Sequence, residues 1–329
     1  MEYTKLGNTG LDISRICMGC MSFGNMASDS SSWLINEEES HKLVKRAIEL
    51  GVNFFDTANC YSAGKSEEIL GRALKGYNRD DLVIATKVFI RMREGANGQG
   101  LSRKHIMSEI DSSLKRLGTD YVDLYIIHRW DYNTPIEETM TALHDVVKSG
   151  KVRYIGASAM YAWQFQKALY TAEKHGLTKF VSMQNHWNML YREEEREMVP
   201  LCNDAKIATT PYSPLASGKL ARAWSESTVR SQTDQAMASK YGATGDIDKP
   251  IVERVAELAS KRAVPMSHIS MAWLLQKATV AAPIVGVTKA VHIEEAVAAI
   301  PLKLSDDEIA YLEELYVPHK VVGAITNTL

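Results

Sequence analysis

Short apolar runs recur along this chain, each bounded by turn residues. They fall at 14–18, 52–55, 82–85, 122–127, 152–155, 180–183, 207–210 and 282–285. Most are nearly continuous in apolar character rather than alternating, which predicts strands of a parallel sheet buried on both faces. Between them lie segments with readable helix ends. Asn36 precedes Glu37, Glu38 and Glu39, a cap followed by an acidic first turn. Thr134-Pro135-Ile136-Glu137 places a cap, a proline at the first helical position and a glutamate at the third. Gly51, Gly118, Gly150 and Gly176 stand where helices stop just before a strand. Ser305-Asp306-Asp307-Glu308 opens a further helix after the eighth unit.

Eight strand–helix alternations form either a closed barrel or a doubly wound open sheet. The open sheet calls for Gly-x-Gly-x-x-Gly after its first strand, and Gly19-Cys20-Met21-Ser22-Phe23-Gly24 has the wrong spacing. Ser217-Gly218-Lys219-Leu220 is no P-loop, because the glycine five positions earlier is missing and Leu220 cannot ligate magnesium. The expected fold is therefore an α/β (β/α)8 TIM barrel, one domain over residues 1–329. Two features stand outside the alternation. Residues 3–6 and 11–13 read as an N-terminal β-hairpin around Gly7-Asn8-Thr9-Gly10, placed to plug the barrel floor. The polar connection 214–249 is long enough to be a lid or binding loop.

Composition narrows the function classes. The chain has 329 residues, 45% of them hydrophobic, and a net charge of −2 from 40 acidic against 38 basic residues. No basic face or run is visible, so nucleic acid and anionic membranes are not expected partners. The start of the chain has no apolar signal region and no run reaches membrane-spanning length, which predicts a cytoplasmic protein. Cys17 and Cys20 form a C-x-x-C. It lies in a strand running into a loop, not at a helix start that would stabilise a thiolate, so two buried or half-buried free thiols are expected.

Active sites of such barrels lie at the C-terminal ends of the strands. Read there, the chain offers Asp56, Lys87 and His128, with Tyr61 in the loop after Asp56. Each has a bland alternative: a helix-capping aspartate, a half-buried loop tyrosine, a solvated lysine, a satisfied histidine. Together they make a proton-transfer site. A tyrosine titrates near 10, too high for acid–base work at neutrality. The Lys87 ammonium would lower that value, Asp56 would neutralise the buried lysine, and His128 could donate to the same carbonyl oxygen.

Gly51-Val52-Asn53-Phe54-Phe55-Asp56-Thr57-Ala58, followed by Tyr61 and Ser66-Glu67, resembles the aldo-keto reductase signature. Asp56, Tyr61, Lys87 and His128 match that family's tetrad in order. Segments 123–128, 154–158, 212–216 and 283–286 are also similar, so the resemblance covers nearly the whole chain. It is strongest to the bacterial branch similar to potassium-channel β subunits. It implies reduction of an aldehyde or ketone to an alcohol with NADPH, Tyr61 donating the proton. By position it assigns Gly19 and Asp56 to the cofactor, Ser158 and Gln184 to its nicotinamide amide and Tyr212 beneath the ring. Ser213, Leu215, Gly218 and Lys219 follow the pyrophosphate, and Gly286, Thr288, Lys289, His292 and Glu295 hold the adenosine end. Ala159 and Ala296 stand where asparagine is common, which puts one nicotinamide and one adenine contact in doubt and predicts altered NADPH/NADP+ binding.

The pocket for a small-molecule carbonyl substrate is expected from Phe23, Trp33, Tyr61, His128, Trp130 and Trp224. Two other functions compete. A lyase could use Lys87 as a Schiff base, which needs a neutral lysine. A binding subunit could sense NADP(H) for a partner while turning over slowly. The natural substrate and any homo-oligomeric state are left open by the sequence.

Overall fold

The computed structural model describes residues 1–24, 33–226 and 240–323. Strands β1 (Tyr3–Lys5) and β2 (Asp12–Ser14) pair antiparallel as the expected hairpin. The main sheet follows: β3 (Cys17–Gly19), β4 (Phe54–Asp56), β5 (Val83–Val88), β6 (Val122–Ile127), β7 (Val152–Ser158), β8 (Ser182–Gln184), β9 (Ala208–Thr209) and β10 (Ile284–Gly286). All neighbours are parallel, in the order β10-β3-β4-β5-β6-β7-β8-β9. The two ends of that order meet. The Thr209 amide donates to Thr279 O at 2.7 Å, Ala281 N to Thr209 O at 2.9 Å and Ile284 N to Pro211 O at 2.8 Å. The sheet thus curls round on itself, as a (β/α)8 barrel requires.

Helices ring it: α1 (Glu37–Glu49), α2 (Lys65–Leu74), α3 (Arg103–Leu117), α4 (Ile136–Lys148), α5 (Ala162–Lys174), α6 (Met198–Asp204), α7 (Gly245–Arg262), α8 (Met266–Leu275), α9 (Ala290–Ala298) and α10 (Asp306–Glu313). Asn36 caps α1 by accepting from the Glu39 amide at 3.0 Å. Ser305 and Glu308 form a capping box at α10. The cap expected at Thr134 is displaced: α4 starts one residue later, and the Thr134 hydroxyl donates to Asp131 Oδ2 at 2.8 Å. The charged Asp131 carboxylate holds the Thr134 side chain in its own loop, where it gathers the Leu101 and Asn133 amides as well. The first barrel strand also begins later than the expected 14–18, because Ser14 belongs to the hairpin. Of the long connection 214–249, residues 227–239 lie outside the described residues. Its last part is the start of α7 rather than loop.

The strand period of two sorts the barrel. Outward residues such as Phe55, Ile84, Tyr125 and Ile155 join the main core beneath the helices. Inward residues Cys17, Phe54, Val83, Ala85, Leu124, Ile126 and Ile284 form a separate cluster with Leu6 and Ile13 of the hairpin segment. That segment therefore fills the N-terminal end of the barrel. Its turn approaches closely: a Cβ on Gly7 would stand 2.8 Å from Val181 O and 2.9 Å from Ala208 N. Continuing inward at the other end of the same strands, two residues on, come Asp56, Lys87 and His128.

Candidate active site

Lys87 is fully enclosed, yet its ammonium is fully engaged. Nζ donates to Asp56 Oδ1 at 2.6 Å, to the Thr57 carbonyl at 2.7 Å and to the Tyr61 hydroxyl at 3.2 Å. The second oxygen of Asp56 accepts from Gln184 Nε2 at 2.9 Å. Three strands and one loop thus converge on one charge. Tyr61 is brought over the barrel mouth by the 3₁₀ turn Tyr61–Gly64, in which Ser62 and Ala63 hold left-handed φ values of 49° and 53°. The His128 ring meets that of Tyr61 edge-on, with centroids 6.0 Å apart and planes at 80°.

Electrostatics follow from this packing. Burial alone would lower the Lys87 pKa, but Asp56 and the Tyr61 oxygen overcome it and raise it, so the lysine is an ammonium. Burial pushes the Tyr61 hydroxyl up, and Lys87 recovers only part of that shift. The expected lowering of the tyrosine is therefore corrected: in this environment desolvation outweighs one shared cation, and the resting group is a neutral phenol. Burial, then Lys87, then Arg129 hold His128 well below its ordinary value, so its imidazole is neutral. A neutral phenol beside a fixed ammonium and a neutral imidazole can give a proton to an oxygen and have the resulting anion stabilised.

The chain matches the model of the aldo/keto reductase family over residues 15–317. It belongs to that family. It is 46% identical to versiconal hemiacetal acetate reductase of Aspergillus parasiticus, the alignment covering 98% of each chain. It is 46% identical, at the same coverage, to a Schizosaccharomyces pombe protein provisionally named an aryl-alcohol dehydrogenase. An aldo-keto reductase of Fusarium vanettenii is 42% identical over 98% of this chain and 93% of its own.

The other sequence-predicted residues of this aldo-keto reductase fall in several places. Gly19, Ser158, Gln184 and Gly286 stand at strand ends around the same mouth. Tyr212 stacks one ring on His186, with centroids 5.2 Å apart and planes at 7°, and Lys240 Nζ lies 4.7 Å from its centroid. Ser213 takes a positive φ of 55° just before Leu215, and Gly218 one of 95° within the 3₁₀ segment Ala216–Ala221 that follows. Lys219 Nζ lies 4.1 Å from the Trp224 ring, so Trp224 is drawn to that loop. Lys289 is the N-cap residue of α9, and the Thr288 amide donates to His292 Nδ1 at 3.3 Å. Glu295 accepts from the Ser267 hydroxyl at 2.6 Å.

Of the expected pocket wall, Trp33 is half-buried beside the β-bridge between Phe23 and Ile35. Trp130 is almost covered, with Trp163 edge-on to it at 6.0 Å. Phe23, also expected there, is wholly enclosed in the main core. A loop aromatic four residues beyond the end of β3 was drawn inward by the same apolar layer that takes Met18 and Cys20. The cysteines are free, and burial raises the Cys17 and Cys20 thiols well above their ordinary value.

Sequence reading missed several neighbours of the tetrad. Arg129 donates to the His128 carbonyl at 2.6 Å, and Cys60 Sγ lies 3.8 Å from His128 Nδ1. Behind Tyr61 stands a buried ionic network of Glu67, Glu109 and Arg116. A signal existed for part of it: Glu109, Ser113 and Arg116 share one face of α3 with apolar Ile106 and Ile110.

Proposed function

We propose that this protein reduces an aldehyde or ketone to an alcohol with NADPH, with Tyr61 as proton donor. The observation that carries the reading is the Lys87 ammonium held between Asp56 and the Tyr61 hydroxyl at the C-terminal mouth of the barrel. The bound dinucleotide supplies the hydride. Tyr61 gives its phenolic proton to the carbonyl oxygen. Lys87 stabilises the tyrosinate so formed, Asp56 keeps Lys87 charged, and neutral His128 orients the oxygen. The enclosure that raises the resting Tyr61 pKa suits this direction, because it keeps the proton on the acid until the oxygen becomes basic. Lys87 fixed as an ammonium has no lone pair for imine formation, which opposes a Schiff-base lyase. Relatives named as reductases, not as binding subunits, favour turnover over cofactor sensing. The likeness to the bacterial branch rests on the shared motifs, while the relatives named above are fungal.

The residues present fit such a cofactor. Ala216, Ser217 and Gly218 turn left-handed in succession, and a Cβ on Gly218 would stand 2.7 Å from an Arg222 nitrogen. Glycine there lets Arg222 and Lys219 serve one tight turn, a donor set matched to a diphosphate. Lys289 stands at the start of α9, and residues 286–293 contain no carboxylate to repel a 2′-phosphate.

Tyr61→Phe tests the reading. NADPH binding should stay near the parent while turnover on a panel of aromatic and aliphatic aldehydes falls on the order of 100-fold or more. Near-parent turnover would remove Tyr61 from the reaction.

A further inference from the structure

Tyr61 sits in a segment that the backbone alone would not hold. Ser62 and Ala63 are both left-handed, a conformation that costs non-glycine residues energy and persists only where the surroundings impose it. Those surroundings are specific. On the N-terminal side of Tyr61, Asn59 Nδ2 donates to Glu109 Oε2 at 2.9 Å. On the C-terminal side, Gly64 packs under Arg116, whose Cδ stands 2.7 Å from where a Cβ would be. Arg116 joins the two anchors. Its Nε donates to Glu67 Oε2 at 2.5 Å, and its NH2 lies 3.8 Å from Glu109 Oε2.

The network reaches the other half of the site through Glu67. That carboxylate is fully enclosed, and its second oxygen accepts from the Thr86 hydroxyl at 2.5 Å. Thr86 immediately precedes Lys87 on β5. One guanidinium between two carboxylates therefore ties the loop that carries the phenol to the strand that carries the ammonium. Each carboxylate has a partner besides the arginine, which is the condition under which buried charge is tolerated. Nothing in the proton transfer itself uses these groups, yet they enclose the five residues around the donor.

We propose that the Glu67–Arg116–Glu109 network, acting through Asn59 and Gly64, is the positioning device for the Tyr61 hydroxyl against Lys87. The proposal rests on the reductase reading above. A misplacement of about 1 Å at a reacting group costs on the order of 100-fold, so loosening one anchor should be felt in turnover rather than in cofactor affinity. Arg116→Lys keeps the charge and loses the fork that reaches both carboxylates.

The experiment compares Asn59→Ala, Arg116→Lys, Glu109→Ala and Glu109→Gln with Leu143→Ala, a change in the apolar core on α4 that touches neither anchor. For each, kcat, the NADPH dissociation constant, the melting temperature and the ¹³C resonance of labelled Tyr61 are measured. The Tyr61 signal is assigned by its loss in Tyr61→Phe. Expected are about tenfold or larger losses in kcat for Asn59→Ala and Arg116→Lys with NADPH affinity within about twofold. A displaced Tyr61 resonance should accompany them. Glu109→Gln, which keeps an acceptor for Asn59, should recover most of what Glu109→Ala loses. Leu143→Ala should lower the melting temperature without moving kcat or the resonance. Parent-like kcat in Asn59→Ala and Arg116→Lys, or an equal kcat loss in Leu143→Ala at equal loss of melting temperature, overturns the proposal. Should the parent reduce no carbonyl, the reductase reading fails. The Tyr61 resonance then decides the positioning claim alone: moved in Asn59→Ala it stands, unmoved it falls.

Discussion

The barrel interior is filled by Leu6, Ile13, Phe54, Val83, Leu124 and Ile126 at the N-terminal ends of the strands. One or two inward positions further along those strands stand Asp56, Lys87 and His128. Both layers are buried, and both are enclosed by the same outer core. They differ in what burial does. Below, removal of apolar area from water is itself the stabilisation, and any side chain of the right volume serves. Above, burial penalises every charge, and the layer exists only because Asp56, Lys87, the Thr57 carbonyl and Gln184 satisfy one another. The lower layer holds the barrel closed. The upper one is tolerated by it, and sets an ammonium against the Tyr61 hydroxyl.

The sharpest way to break that comparison is Lys87→Met. Methionine fits the volume but leaves Asp56 buried without its cation, at a cost of about 3–5 kcal/mol. Turnover should vanish with it, since the phenol loses the charge that stabilises its anion. The pH dependence has a definite sign. The Lys87 pKa is raised on folding, so the stability it contributes is fully present below the unfolded lysine value of about 10.5 and is lost as pH rises through the folded one. The contribution of the Lys87 charge to the difference between parent and variant should therefore be constant across neutral pH and vanish only in strong alkali. A variant that melts with the parent would mean that the upper layer is not held together by this pair.

Leu6→Ala is the converse. Leu6 is wholly enclosed in the lower cluster, and its truncation should cost about 2–5 kcal/mol, depending on how far the hairpin can settle into the gap. Chemical denaturation measures it. With enzyme kept well below its midpoint, kcat and NADPH affinity should stay at parent values. A fall in kcat at full folding would show that the floor also sets the geometry of the mouth.

Much of this architecture was legible because it is local. Strand positions follow from apolar runs, the helix stops at Gly51, Gly118, Gly150 and Gly176 from one residue each, and the strand-end location of Asp56, Lys87 and His128 from counting. What escaped depends on meetings across the fold. Arg116 and Glu67 are 49 residues apart, and nothing in either stretch names the other. Thr134 lost its capping role to a competitor, Asp131, whose own loop conformation decides the contest. Phe23 turned inward because the outer apolar core takes it, not because of any period. The direction of the Tyr61 shift depends on how much water the finished mouth excludes, a quantity no motif carries.

The smallest expected effect tests whether the upper rim reads its ligand by charge. Lys289 is exposed at the N-terminus of α9, outside both buried layers. Its replacement by glutamate should cost no stability; a carboxylate near a helix N-terminus is favourable by some tenths of a kcal/mol. Under the NADPH reading, however, the cation beside the 2′-phosphate becomes a like charge. A charge-assisted contact with phosphate is worth about 1.5–3 kcal/mol, or roughly ten- to a hundredfold in affinity. Lys289→Glu should thus weaken NADPH by that factor and leave NADH within about twofold, with the melting temperature unchanged. Fluorescence titration of both cofactors on parent and variant separates the cases. Equal losses for the two would mean that Lys289 shapes the rim without reading the phosphate, and a parent that prefers NADH would overturn the assignment of the cofactor itself.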